Sequence, residues 1–151
     1  MSKMEGECEI VYFIRHVLAV LGFIFGCKKT NNMKLLFLDD IRNPTDCLLY
    51  MQTKIEDIEV YRKEWQIVRS YDEFVTWIET NGLPDFISFD HDLGLPEEQS
   101  QELNGMTCAK WLVNYCLDND LKLPDFVVHS SNPAGAKNIE GLLKGFGEFK
   151  K

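Results

Sequence analysis

Alternating strand-like and helix-like segments predict an α/β domain, a three-layer sandwich around a parallel sheet. Three observations carry the prediction. Short continuous apolar runs at Leu35–Leu38, Phe86–Phe89 and Phe126–Val128 have the length and composition of strands buried on both faces. Segments with a helical apolar stripe separate most of them. Strands joined through helices pair in parallel with right-handed crossovers, which gives a sheet of the flavodoxin-like kind.

The elements follow in chain order. KLLFLDDIRNP (34–44) opens with the first strand. Residues 43–64 carry apolar residues at mixed spacings, enough for one helix. WQIVR (65–69) reads as the second strand. Ser70 and Glu73 then form a capping box ahead of a helix whose apolar face is Phe74, Trp77 and Ile78, with Gly82 as its C′ residue. PDFISFDHDLGLP (84–96) supplies the third strand, and a polar, acidic loop at 94–104 follows, expected to be mobile. Asn104 caps the next helix, whose broad apolar side comprises Met106, Ala109, Trp111, Leu112, Val113, Cys116 and Leu117. PDFVVHSSNP (124–133) holds the fourth strand, and Pro133 fits the first turn of a last helix capped by Ser131 or Asn132. The stripe of that helix is Ala136, Ile139, Leu142, Leu143 and Phe146. Trp65, Trp77 and Trp111 read as core or core-edge residues.

Residues 1–32 differ from the rest. They hold IVYFIRHVLAVLGFIFGCKK, in which the uninterrupted apolar part, Val17 to Cys27, is shorter than the roughly 20 residues that span a bilayer. This extension fits a membrane-contacting helix over residues 10–27, an uncleaved signal-like segment without a clear cleavage site, or a mistranslated leader ahead of a natural start at Met33. The last is preferred, because MKLLFLDD is a complete first strand with its own methionine. The domain expected to fold is therefore 33–151.

With 151 residues, 45% of them hydrophobic and 26% charged, the chain is long and apolar enough for one soluble domain with a core. Its formal net charge of -8 argues against coating duplex nucleic acid, which needs a basic face. Four Lys/Arg against three Asp/Glu in residues 1–32 leave the remainder at -9. Five cysteines, an odd number with no C-x-x-C, point to a reducing cytoplasm rather than a disulfide framework or zinc ribbon. Cys108 and Cys116 fall in a helical pattern and read as core residues.

Three strands stop abruptly at chemically capable residues: Asp39-Asp40, Asp90-His91-Asp92 and His129-Ser130-Ser131-Asn132. A parallel sheet gathers the carboxyl ends of its strands on one edge, where open α/β folds bind ligands. Adjacent carboxylates repel unless a cation or an arginine neutralises them, and hard oxygen donors suit Mg²⁺. Arg42 either clamps phosphate oxygens or pairs with Asp39, Asp40 or Asp92. His91 reads as a structural hydrogen-bonder. A hydroxyl at Ser130 or Ser131, beside a helix N-terminus, suits a phosphoryl oxygen, and His129 is placed to protonate a leaving oxygen or else lies buried beside the sheet. No G-x-S-x-G elbow and no H-E-x-x-H occur, which disfavours a serine hydrolase or a zinc enzyme.

These motifs resemble the receiver domains of two-component signalling. Asp39-Asp40 matches their metal-binding acidic pair, PDFISFD resembles the third strand that ends in the phosphoacceptor, and Ser130 or Ser131 matches the hydroxyl after the fourth strand. Spacing makes Asp90 the acceptor, and the D-L-x-L-P text makes it Asp92. The pattern departs from those domains in having no fifth strand and no K-P motif, and Lys137 is a poor substitute for the missing lysine. LDDIRNP, DHDLG and HSSNPAG are more closely similar to the cyclic-phosphate processing receiver domains, over about 34–146.

That resemblance implies metal-assisted handling of cyclic phosphates. The expected enzyme is a phosphoesterase that uses Mg²⁺, or Mn²⁺ in its place, on a small phosphorylated ligand such as a cyclic nucleotide or an RNA 2′,3′-cyclic phosphate end. Asp39, Asp40, Asp90 and Asp92 make up the metal set, and one of Asp90 and Asp92 serves as nucleophile or water-activating base. Arg42, Ser130, Ser131 and Asn132 form the phosphate set, and His129 is the general acid. The alternative is a non-enzymatic receiver-like signalling or nucleotide-binding module.

Overall fold

A computed structural model describes residues 33–50, 58–94 and 103–150. The expectations for residues 1–32 and most of the acidic loop at 94–104 lie outside the described residues. Among those described, the elements are β1 (Leu35–Leu38), α1 (Pro44–Tyr50), a 3₁₀ helix (Ile58–Arg62), β2 (Gln66–Val68), α2 (Tyr71–Asn81), β3 (Phe86–Phe89), α3 (Gly105–Asp118), β4 (Asp125–Val128) and α4 (Pro133–Phe149).

The strands form one parallel sheet in the order β2-β1-β3-β4. Leu38 pairs with Val68 and with Phe89, and Phe89 pairs with Val128, so all four strand ends come level. This register brings the residues after each strand onto one edge. It is the α/β sandwich of flavodoxin-like type, with four strands and no fifth among the described residues.

Side chains alternate across β1, as a strand buried on both faces requires. Leu36 and Leu38 join a core with Phe74 and Ile78 of α2, Leu112 of α3, and Ile139 and Leu143 of α4. Leu35 and Phe37 join a smaller core on the opposite face with Cys47, Val60 and Tyr61. Burying each of these large side chains contributes about 1.5–3 kcal/mol against the entropy of ordering the chain. Trp65 stacks on Tyr61 at 5.3 Å and donates to the Val60 carbonyl, which makes it a core-edge residue as expected.

The local signals resolve in detail. The described part of the 43–64 region holds one α-helix, as expected, the seven-residue α1, and also a 3₁₀ helix that the spacing did not indicate. Ser70 caps α2 by accepting from the Glu73 amide at 3.2 Å, and Gly82 ends it with φ 76. The capping box is displaced by one residue, because the Glu73 carboxylate accepts from the Arg69 amide rather than from Ser70. Asn104 caps α3, and Asn132, not Ser131, caps α4 by accepting from the Gly135 amide at 2.9 Å. Cys47, Cys108 and Cys116 are buried free thiols. Among the described residues no helix is long and apolar enough to cross a membrane.

Candidate metal and phosphate site

The turn after β1 is organised around Asp39, which is fully buried. Its Oδ1 accepts from the amides of Ile41 (2.9 Å) and Arg42 (2.5 Å), the local turn that an aspartate makes with its own backbone. Its Oδ2 accepts from Arg42 Nε at 2.8 Å and from His129 Nε2 at 3.0 Å. Burial alone would push this carboxyl up. The His129 hydrogen bond, the two amides and the Arg42 charge outweigh burial and bring it down to about 2.

His129 follows β4 and reaches Asp39 beneath the sheet edge. Its ring stacks on Phe37 at 4.5 Å. Its Nδ1 lies 2.7 Å from Ser88 Oγ, which lies 2.7 Å from the Tyr61 hydroxyl. A carboxylate only accepts, so Nε2 carries a proton, and a chain from Tyr61 through Ser88 to Nδ1 satisfies the remaining groups. In this arrangement neither ring nitrogen of His129 is free for the general-acid role expected of it, although the residue borders the cleft. The side chain is completely buried and both ring nitrogens are engaged by protein.

Asp90 follows β3 and is 2% exposed. Its Oδ1 accepts from the His91 amide at 2.7 Å and its Oδ2 from Arg42 Nη2 at 2.6 Å. Arg42 thus bridges Asp39 and Asp90, and its Nη1 reaches Ser131 Oγ at 3.3 Å. Asp40 stands beside them, partly exposed, without an arginine partner among the described residues. Burial and the charges of Asp39 and Asp90 raise its pKa against its own backbone hydrogen bond and Arg42.

Carboxylate oxygens of Asp39, Asp40 and Asp90 lie within 4.8 Å of one another, a hard-donor set fit for a divalent cation. Asp92 lies outside this trio. It is 64% exposed and pairs with His91 Nδ1 at 2.7 Å, which removes it from the expected metal set and leaves Asp90 as the carboxylate at the strand end. Asn132 is likewise withdrawn from the phosphate set, since its side chain caps α4 and leans toward His91 and Asp92 at 3.5 Å. Ser130 accepts from the Asn132 amide at 3.1 Å and borders the opening.

Two features escaped sequence reasoning. Arg69, just past β2, donates to the carbonyls of Asp39 and Arg42 and to Asn43 Oδ1, pinning the 39–43 turn. Its position at the carboxyl end of a strand was the available signal. Glycines also lock the three motifs together. A Cβ on Gly94, whose φ is 48, would overlap Asp40 Oδ2, and one on Gly105 would overlap the Asp90 carbonyl. The result is a cleft of about 620 Å³ lined by Asp40, Arg42, Asp90, Asp92, Ser130 and Ser131, among others.

A family model described as the cyclic-phosphate processing receiver domain matches residues 34–145. The chain belongs to this family. The match spans β1 through most of α4, so all three motifs of this receiver domain fall inside it. No curated protein matches. Among solved structures, this receiver domain is similar to the N-terminal domain of a response regulator/sensory box/GGDEF 3-domain protein from Carboxydothermus hydrogenoformans, at 17% identity and TM-score 0.41, covering 78% of this chain and 92% of that one. It is also similar to a chain described as a yeast Spc42 trimeric coiled-coil segment, amino acids 181–211, fused to another structure. That likeness has 17% identity and TM-score 0.44 and covers 76% of this chain but 64% of the other, less than two thirds of its length.

Proposed function

We propose that this receiver domain is a divalent-cation-dependent phosphoesterase acting on cyclic phosphates of nucleotides or RNA ends. The observation that carries the reading is the acidic trio Asp39, Asp40 and Asp90 beside Arg42 at the mouth of the cleft. Asp39, Asp40 and Asp90 would hold Mg²⁺ or Mn²⁺, which supplies Lewis-acid polarisation of a phosphoryl oxygen. Arg42 and the hydroxyls of Ser130 and Ser131 grip the remaining phosphate oxygens, assisted by the N-terminus of α4. Asp92, exposed on the cleft wall, takes a proton from the attacking water. The water oxygen bonds to phosphorus, one ring P–O bond breaks, and the same proton passes from Asp92 to the departing alkoxide. His129 acts at a distance from substrate, by holding Asp39 ionised and oriented.

The ligand class is a small phosphate ester rather than a duplex, because the chain carries a net charge of -8 and the arginine lining the cleft, Arg42, is already committed to two carboxylates. The odd number of cysteines supports placement in the reducing cytoplasm. The test is hydrolysis of adenosine 2′,3′-cyclic phosphate by the full chain with added Mg²⁺ or Mn²⁺. Loss of turnover in EDTA and in Asp90→Ala is the expected result. Turnover that persists in both overturns the assignment.

One observation favours a non-enzymatic receiver-like module instead: both described imidazoles, His91 and His129, are turned to protein partners. Under that reading Asp90 accepts a phosphoryl group or the cleft only binds a nucleotide. Incubation with acetyl phosphate followed by intact-mass measurement separates the two. A stable added phosphoryl without cyclic-phosphate turnover selects the module.

A further inference from the structure

The Asp39 carboxylate has no vacancy. A carboxylate offers about four lone-pair directions, and those of Asp39 are taken by the amides of Ile41 and Arg42, by Arg42 Nε and by His129 Nε2. Two of these donors are main-chain groups of the same tight turn. A third is a buried ring held between Phe37 and Ser88. Only the Arg42 side chain, 24% exposed, is free to leave. Asp90 is less filled, with a single donor on each oxygen, the His91 amide on Oδ1 and Arg42 Nη2 on Oδ2. A cation that takes Asp39 Oδ2 as a ligand therefore needs the place that the guanidinium holds.

We infer that Arg42 is a resident counter-cation that exchanges with the divalent ion, so that metal binding releases it to the phosphate and phosphate binding opens the carboxylates to the metal. The inference rests on the metal and phosphate reading above and adds a regulation to it. The released side chain has a near destination, since Nη1 already lies 3.3 Å from Ser131 Oγ on the opposite wall of the cleft. The backbone need not follow, because Arg69 pins the carbonyls of Asp39 and Arg42 independently of the Arg42 side chain. One side chain with two partners, each preferred by a different ligand, is the two-state element that positive coupling requires. It also keeps buried carboxylates neutralised whenever no metal is present, which avoids the cost of unpaired charge.

The experiment is a Mn²⁺ binding isotherm, read from the electron paramagnetic resonance of free Mn²⁺, on the full wild-type chain and on Arg42→Gln, each with and without sulfate as a tetrahedral dianion. Removing the competitor should tighten Mn²⁺ binding by at least about fivefold, the lower end of usual coupling factors. Sulfate should tighten Mn²⁺ binding in the wild type and lose that effect in Arg42→Gln. Arg42→Lys keeps the charge but cannot bridge two carboxylates, and should fall between them. Independently of any variant, saturating Mg²⁺ should move the Arg42 Nε–H resonance of the wild type. Measurable binding with equal or weaker affinity in Arg42→Gln, or an Arg42 resonance unmoved by saturating Mg²⁺, overturns the exchange while leaving the metal site standing. Absence of Mn²⁺ binding in both wild type and variant overturns the site and the exchange together.

Discussion

The imidazole of His91 lies directly against the main chain of Gly135, in space that a Cβ at position 135 would occupy. The histidine belongs to the second sequence motif and the glycine to the third, so this contact sets how closely α4 approaches the loop after β3. Gly135→Ala should therefore destabilise the fold by about 1–3 kcal/mol, the usual cost of overpacking. Urea denaturation checks this, and the double variant Gly135→Ala/His91→Ala should recover most of the loss. A double variant no more stable than Gly135→Ala would place the strain elsewhere.

The buried chain Tyr61, Ser88, His129 and Asp39 makes a second prediction. Ser88→Ala leaves both the Tyr61 hydroxyl and His129 Nδ1 without their partner. Its cost should be about 1–3 kcal/mol, the penalty for stranding buried polar groups. Tyr61→Phe removes only the donor to Ser88 Oγ, which keeps its bond to His129 Nδ1, and should cost less. Chemical denaturation of both variants gives the order, and a milder effect for Ser88→Ala would contradict the network.

The acid side of the stability profile follows from Asp39. Its carboxyl is held at about 2 in the fold against an ordinary 3.8, so it contributes stability fully present above about pH 4 and lost as pH falls toward 2. The size is about 2 kcal/mol at neutral pH in metal-free protein. Asp40 acts in the opposite sense, because its raised folded value means stability present below 3.8 declines as pH rises. Asp39→Asn should therefore flatten the acid limb of a urea-midpoint profile and Asp40→Asn should not. An unchanged limb in Asp39→Asn would sink the assignment.

Burial raises the thiols of Cys47 and Cys108 to about 12, and raises that of Cys116 as well. A thiol kept neutral inside the fold stays unreactive where an exposed one alkylates. Iodoacetamide at pH 8 with peptide mapping should leave all three unmodified in native protein and modify them in urea. Rapid native labelling of Cys108 would contradict its placement in the core. As these folded values are raised, the stability they contribute is present below pH 9 and falls as pH climbs toward 12.

Gly94 and Asp92 separate the cation set from its neighbours. Gly94→Ala forces a side chain onto Asp40 at a positive φ and should weaken Mn²⁺ binding by about tenfold or more, as disturbing the groups that orient a metal ligand does. Asp92→Asn, outside the trio, should leave Mn²⁺ affinity within about twofold, a difference well under 1 kcal/mol. Isothermal titration of each variant decides. Strong loss in Asp92→Asn would return that residue to the metal set.

Much of this was legible in the text of the chain because it is local. A four-residue apolar run declares a buried strand, and Asn104 ahead of Thr107 declares a cap, each within one turn of chain. The 43–64 region resisted because a seven-residue helix and a 3₁₀ helix carry too few turns to establish a period. Arg69 was missed because its partners are carbonyls, which leave no signature in side-chain identity.

Periodicity and capping are settled by neighbours a few residues apart, and from them follow the alternation of strands and helices, the helix caps and the three polar strand ends. Only the tertiary structure decided that Asp90 rather than Asp92 joins Asp39 and Asp40, that His129 is buried behind Asp39, and that Arg42 spans two carboxylates. Those pairings join residues such as Asp39 and His129, 90 positions apart. Which lone pair meets which donor at that separation depends on strand register and on how closely helices pack, and neither is written in any short window of the chain.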